Sequence, residues 1–162
     1  MALTILVGIG LAGNSLAVDT HVEHGNGRGV SAVSGEREQD IAGQSMQIRL
    51  SVGDKEAVAV LNDNPASRDF LSMLPLTLAF EDYNGTEKIS TLPRKLNTQG
   101  APSNCDPDVG SFTYYAPWGN LAIFYRDFRH SNGLVPLGHV ESGMETLVDM
   151  RNGVSIRLEK ME

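Results

Sequence analysis

Residues 110–125 read GSFTYYAPWGNLAIFY. Phe112 and Tyr114 alternate with Ser111, Thr113 and Tyr115, the period-2 pattern of a half-buried strand. Pro117 and Gly119 then impose a turn around Trp118, the only tryptophan in the chain. Leu121–Tyr125 follows as a second strand, apolar on both sides and therefore expected at the centre of a sheet. A strand, a turn and a returning strand point to a mainly β protein. They also raise a question about the aromatic side chains, which either pack a core or line a groove. Alternation sends roughly half of them inward whatever the function.

The same patterns continue outward from this stretch. C-terminal to it, Leu134–Val140 reads as a strand and Gly143–Met150 as a helix ended by Asn152-Gly153. Val154, Ile156 and Leu158 alternate in a last strand. On the N-terminal side, residues 92–109 are loop-like, broken by Pro93, Gly100, Pro102 and Pro107. Before them, Leu76–Tyr83 and Glu87–Ile89 flank Asn84-Gly85, the strongest short hairpin signal. The turn accounts for Asn84-Gly85-Thr86 without a glycan. Asn64 suits an N-cap and Pro65 the first helical position, so a helix is predicted from Pro65 to Leu74, ending before Pro75. Phe70, Leu71 and Leu74 share one face of it. Met46, Ile48, Leu50 and Val52 alternate with polar residues, and Ala57–Leu61 returns after the turn at Gly53-Asp54-Lys55.

Seven or eight short strands and two helices predict a closed β-barrel of about eight strands with two capping α-helices. Ile48, Leu50, Phe70, Phe112, Ile123 and Leu137 are its expected core. This domain occupies residues 46–162. Residues 18–45 are rich in Gly, Ser and charge with neither periodicity, and read as a flexible linker. Residues 1–17 read as a signal peptide: Ala2–Gly13 is too short to span a bilayer, and Ser15-Leu16-Ala17 fits a small-x-small cleavage site, although no basic residue precedes the apolar run. A functional signal implies a periplasmic or secreted protein whose mature chain starts near Val18. Without it the protein is cytoplasmic.

The 162 residues carry a formal charge of −7 and show no Lys/Arg cluster. Non-specific nucleic-acid binding needs a basic face, and anionic lipid would be repelled, so neither is an expected partner. Cys105 is alone, which excludes an intrachain disulfide and reads as a buried or loop thiol. His21 and His24 form H-x-x-H, but in a segment whose ordering costs entropy, so no metal is read there. Asp106 and Asp108 bracket Pro107 as a turn. Glu81, Asp82 and Glu87 surround the hairpin tip as a solvated cluster, with Lys88 as a surface ion pair. His130 and His139 have no Ser or Cys partner at a recognisable spacing. No triad, phosphate loop or zinc motif appears, and no cofactor is implied.

Three stretches, DNPASRDFLSMLPLTLAFEDYNGTEKI (63–89), GSFTYYAPWGNLAIFY (110–125) and LVPLGHVESGMETL (134–147), together resemble the cyclophilin-like superfamily. The likeness is closest to its small bacterial and archaeal members of poorly defined function, and it covers about residues 46–160. Pro65–Leu74 resembles the first cyclophilin helix. Leu137–Met144 resembles the Phe-Gly-x-Val-x-x-Gly-Met turn into the second. The resemblance implies a peptide groove beside the turn that carries Trp118. It would also imply prolyl isomerisation, in which an arginine of a Phe-His-Arg motif donates toward the prolyl nitrogen and weakens amide conjugation. Residues 87–96 hold Arg94 without the preceding Phe-His, and Gln99-Gly100 lies too close to it for the family spacing. The expected ligand-binding residues are therefore Tyr115, Trp118, Asn120, Tyr125 and Arg94, with no catalytic residue assigned. The leading expectation is a non-catalytic binding module for a peptide segment or small molecule. The alternatives are a peptidyl-prolyl isomerase with a degenerate site and a structural or assembly domain. The oligomeric state stays open.

Overall fold

Two alternating segments, Met46–Val52 (β1) and Lys55–Leu61 (β2), pair antiparallel from Met46↔Leu61 to Val52↔Lys55. Gly53 turns the chain between them at φ 62°. The structure, a computed structural model, describes residues 46–162; the expected signal and linker, with His21 and His24, lie outside the described residues.

After β2 the chain enters helix α1, Pro65–Ser72. Asn64 caps it as its sequence suggests: its Oδ1 accepts from the Ser67 N–H at 3.0 Å, and its amide donates to the Pro136 carbonyl at 2.9 Å. The helix stops at Ser72, two residues short of the predicted end, with Met73 as C-cap. Strands β3 (Leu76–Tyr83) and β4 (Glu87–Thr91) form the predicted hairpin. Asn84 and Gly85 both have positive φ, 53° and 63°, and the Thr86 N–H donates to the Tyr83 carbonyl at 3.1 Å. Such a primed turn matches the right-handed twist of its strands.

The remaining elements are β5 (Asn104–Cys105), β6 (Ser111–Tyr115), β7 (Asn120–Phe124), β8 (Ser131–Asn132), β9 (Leu134–Ser142), helix α2 (Met144–Val148) and β10 (Val154–Lys160). Eight of the ten strands among the described residues close a barrel in the order β1-β10-β3-β4-β7-β6-β9-β2, every pairing antiparallel. β5 and β8 form a separate two-stranded ribbon. It escapes sequence reading because two residues cannot display a period. The six residues expected in the core are all fully buried.

The helices close opposite ends of the barrel. Phe70 of α1 packs on Phe112 with ring centroids 5.6 Å apart. The segment after β4 is tied beside it, because Asp69 accepts from the Asn97 N–H at 2.8 Å. At the other end of β4, Lys88 donates to the Met150 carbonyl, just past α2, at 3.2 Å. This corrects the reading of Lys88 as a surface ion pair. Alternation turns it inward, where it is 4% exposed, and Asp82 pairs with it at 3.1 Å. A buried charge requires such a partner. β7 is buried along its whole length, as its apolar sequence predicts, although a closed barrel has no central strand. Leu121 and Ile123 face the core. Ala122 and Phe124 join Leu134 in a second cluster, against which Ile89, Cys105 and Tyr115 pack.

Candidate functional site

That second cluster marks the outer wall of the barrel. Pairing aligns Tyr83 with Glu87, Glu87 with Phe124, Ile89 with Ala122, and Asn120 with Tyr115, so these residues share the outward face of β3, β4, β7 and β6. A pocket of about 450 Å³ opens on this face. Glu87, Ile89, Asn120 and Phe124 supply its strand residues. Tyr83, Tyr115 and Trp118 supply aromatic walls, and residues 128–132 with Leu134 close the remaining side.

The aromatic walls are mutually braced. Trp118 sits edge-on to Tyr83, with centroids at 5.7 Å and planes at 85°, and edge-on to Tyr115 at 5.4 Å and 82°. Each geometry is the favoured T-shaped arrangement of ring quadrupoles. The indole nevertheless remains 58% exposed, so the Pro117–Gly119 turn presents it rather than buries it.

Two polar groups in the lining are poorly served by the protein. Asn120 is 4% exposed; its Nδ2 donates to the Leu121 carbonyl at 3.0 Å, but its buried Oδ1 has no hydrogen-bond partner among the described residues. An unsatisfied buried acceptor costs free energy until a donor reaches it. Glu87 is half-buried, and burial pushes its carboxyl up to about 7. A raised carboxyl pKa means that the folded state binds more protons than the unfolded one between the two values, so stability falls as pH rises through that window. Relative to Glu87→Gln, the wild type is expected to lose on the order of 1 kcal/mol between about pH 5 and pH 8, after allowing for solvent screening of a half-exposed group. Parallel denaturant titrations of the two proteins across that range check this; a pH-independent difference would refute it.

Of the five residues expected to bind ligand, Tyr115, Trp118 and Asn120 come together in the pocket. Tyr125 and Arg94 do not line it. The Tyr125 hydroxyl donates to Asp82 at 2.5 Å. Burial, reinforced by that carboxylate, pushes the phenol up to about 12, and the same hydrogen bond leads in holding Asp82 below the usual carboxylate range. Arg94 grips Asp69 of α1 with both guanidinium NH₂ groups, at 2.7 and 2.8 Å, and also donates to the Lys95 carbonyl. Its fork is occupied in fastening the loop after β4 to the helix.

The other singled-out groups are dispersed. Asp82 turns inward while Glu87 faces the pocket, so the hairpin carboxylates do not converge. Asp108 accepts from the Ser111 hydroxyl at 2.5 Å. His130 lies against Asp106 at 3.1 Å, and His139 against the Val109 carbonyl at 3.0 Å. Cys105 is half-buried in β5, and burial together with Asp106 and Asp108 pushes its thiol up to about 11, far from a reactive thiolate. Tyr83, Glu87, Phe128 and Arg129 belong to the lining but were not singled out as binding residues. Outward alternation beside the hairpin could have indicated the first two. Residues 126–130 carry no periodic signal.

An eight-stranded antiparallel barrel stopped by a helix at each end, with an aromatic pocket on its outer wall, is a cyclophilin-like barrel. The chain belongs to the cyclophilin-like family, whose sequence model matches residues 50–159. Among solved structures, the hypothetical protein AF2241 from Archaeoglobus fulgidus has a similar fold, with a TM-score of 0.55 at 18% identity, covering 72% of this chain and 95% of that one. A comparison with curated proteins finds no match.

Proposed function

We propose that the outer-wall pocket is a binding site for a peptide segment or small molecule, which it holds without transforming. The observation that carries this reading is the Oδ1 of Asn120, a buried acceptor without a partner among the described residues in a pocket walled by Tyr115 and Trp118. A small rotation of the Asn120 amide brings that acceptor to a ligand N–H while the ligand's apolar body covers the rings, which is how concave sites combine orientation with affinity. Isomerisation has less support, because Arg94 is clasped by Asp69 and lies outside the lining.

Trp118 is the only tryptophan, so its fluorescence reports on the pocket directly. Titration with proline-containing peptides and a fragment library should perturb its emission, and Asn120→Ala should weaken binding by about 10-fold, the equivalent of one hydrogen bond of roughly 1.4 kcal/mol. Trp118→Ala, which removes the fluorophore and is therefore followed by isothermal titration calorimetry, should abolish binding but cost less than about 1.5 kcal/mol of stability, because an exposed indole contributes little packing. In a protease-coupled assay, prolyl isomerisation should stay at its uncatalysed pace of tens to hundreds of seconds. Rapid isomerisation abolished by Arg94→Ala would establish the isomerase instead. Unfolding of Trp118→Ala would make that residue structural.

A further inference from the structure

We infer that the ligand carries a primary ammonium group, seated at the Glu87 end of the pocket between the carboxylate and the rings of Tyr83 and Trp118. The inference rests on the proposed binding role of this pocket and names the chemistry it selects. Glu87 sits directly across the hairpin from Tyr83 and across the β4–β7 ladder from Phe124, so aromatic side chains flank it on both neighbouring strands. Trp118 stands nearly perpendicular to Tyr83. A carboxylate among aromatic faces is a cation site, because ring quadrupoles and the anion attract the same charge.

No cation of the chain fills that role among the described residues. Lys88 points into the barrel toward Asp82. Two basic side chains belong to the lining, both on the segment after β7. Arg129 is exposed and lies over the Phe128 ring at 5.4 Å, and His130 is engaged with Asp106. Neither is within ion-pair distance of Glu87. Tyr83 is the remaining titratable group facing Glu87 from β3, and β7 contributes only Phe124. The net charge of −7 favours the approach of cations rather than anions. Burial pushes the Glu87 carboxyl up to about 7, and an ammonium beside it favours the ionised form.

The pocket also suggests how far apart the two recognition points lie. Asn120 pairs with Thr91, four residues along β4 from Glu87, which at ~3.4 Å per residue is about 14 Å. An extended peptide of about four residues spans that distance, with its N–H on Asn120 and its ammonium on Glu87. The ammonium then belongs either to a lysine side chain or to a peptide N-terminus.

Three probes test this through Trp118 emission of the full-length protein: butylammonium as the lysine fragment, alaninamide as the N-terminal fragment, and butanol as a neutral isostere. At pH 8, butylammonium or alaninamide should bind at least about 10-fold tighter than butanol, and the tighter of the two, once alaninamide is corrected for being about half protonated at that pH, identifies the source. Glu87→Gln should remove the preference, bringing both cations to within about 2-fold of butanol in the same variant. Binding should be weaker at pH 6 than at pH 8, by about 10-fold for butylammonium and about 5-fold for alaninamide, because a carboxyl titrating near 7 must be ionised while an α-amino group is already about half neutral at pH 8. Equal binding of butanol and both cations, or a preference that survives Glu87→Gln, overturns the ammonium inference but leaves a binding pocket. If no probe, peptide or library fragment perturbs Trp118, the inference and the binding role fall together.

Discussion

Phe70→Ala is expected to destabilise the protein by about 3–5 kcal/mol, the usual cost of deleting a large aromatic side chain from a well-packed site. Phe70 is fully buried and packs on Phe112, where α1 closes one end of the barrel. The surroundings have little freedom to collapse into the space. Asn64 is bonded to Pro136, Ser67 donates its hydroxyl to the Leu137 carbonyl at 2.9 Å, and Asp69 is held by Arg94. The cavity should therefore persist rather than relax. Urea titration monitored by far-UV circular dichroism measures the loss; a value below about 1 kcal/mol would show that α1 does not stop the barrel as described.

Gly138→Ala should be comparably severe, at roughly 3 kcal/mol or more, for a different reason. An added Cβ at Gly138 would lie 2.1 Å from the Val60 carbonyl oxygen and 2.7 Å from the Leu61 Cα. Both are backbone atoms of β2, so no rotamer change relieves the clash and the β2–β9 seam must shift. Gly138 sits where β9 is paired on both sides, with Phe112 on β6 and Leu61 on β2, and both pairings slip register close by. Gly153→Ala is the control. Its φ is 77° with nothing within 4 Å of the added carbon, so it reports the conformational cost alone, about 1–2 kcal/mol. Equal losses for the two variants would show that steric contact at the seam is not what Gly138 relieves.

Gly138 and Gly143 belong to the stretch that resembled the cyclophilin turn into its second helix, and both sit against the β2 backbone; a Cβ on Gly143 would lie 2.3 Å from the Glu56 carbonyl oxygen. Barrel and helices were readable because they rest on long periodic segments, Asn-Gly turns and a strong cap. The site was only half readable. Tyr115, Trp118 and Asn120 surround one turn and are brought together by local structure. Glu87 and Phe128 reach the same pocket only through barrel closure and an aperiodic loop. Tyr125 lies outside the pocket because alternation along β7 carries it to the side opposite Phe124. Arg94 lies outside the pocket because Asp69, 25 residues away on another element, holds it.

Barrel closure has a consequence for the order of the chain itself. β10 returns beside β1, with Ile48 opposite Lys160, and the Met161 N–H donates to the Gln47 carbonyl at 3.0 Å. The barrel is thus a ring in which first and last strands are ordinary neighbours. A short tether from residue 162 to residue 46 would complete it covalently, and the exposed turn at Gly53-Asp54 could serve as the new opening. Such a circular permutant would keep every ladder, the β1–β2 pairing included, and lose only the covalent link between β1 and β2, while the pocket on the far wall would keep all its residues.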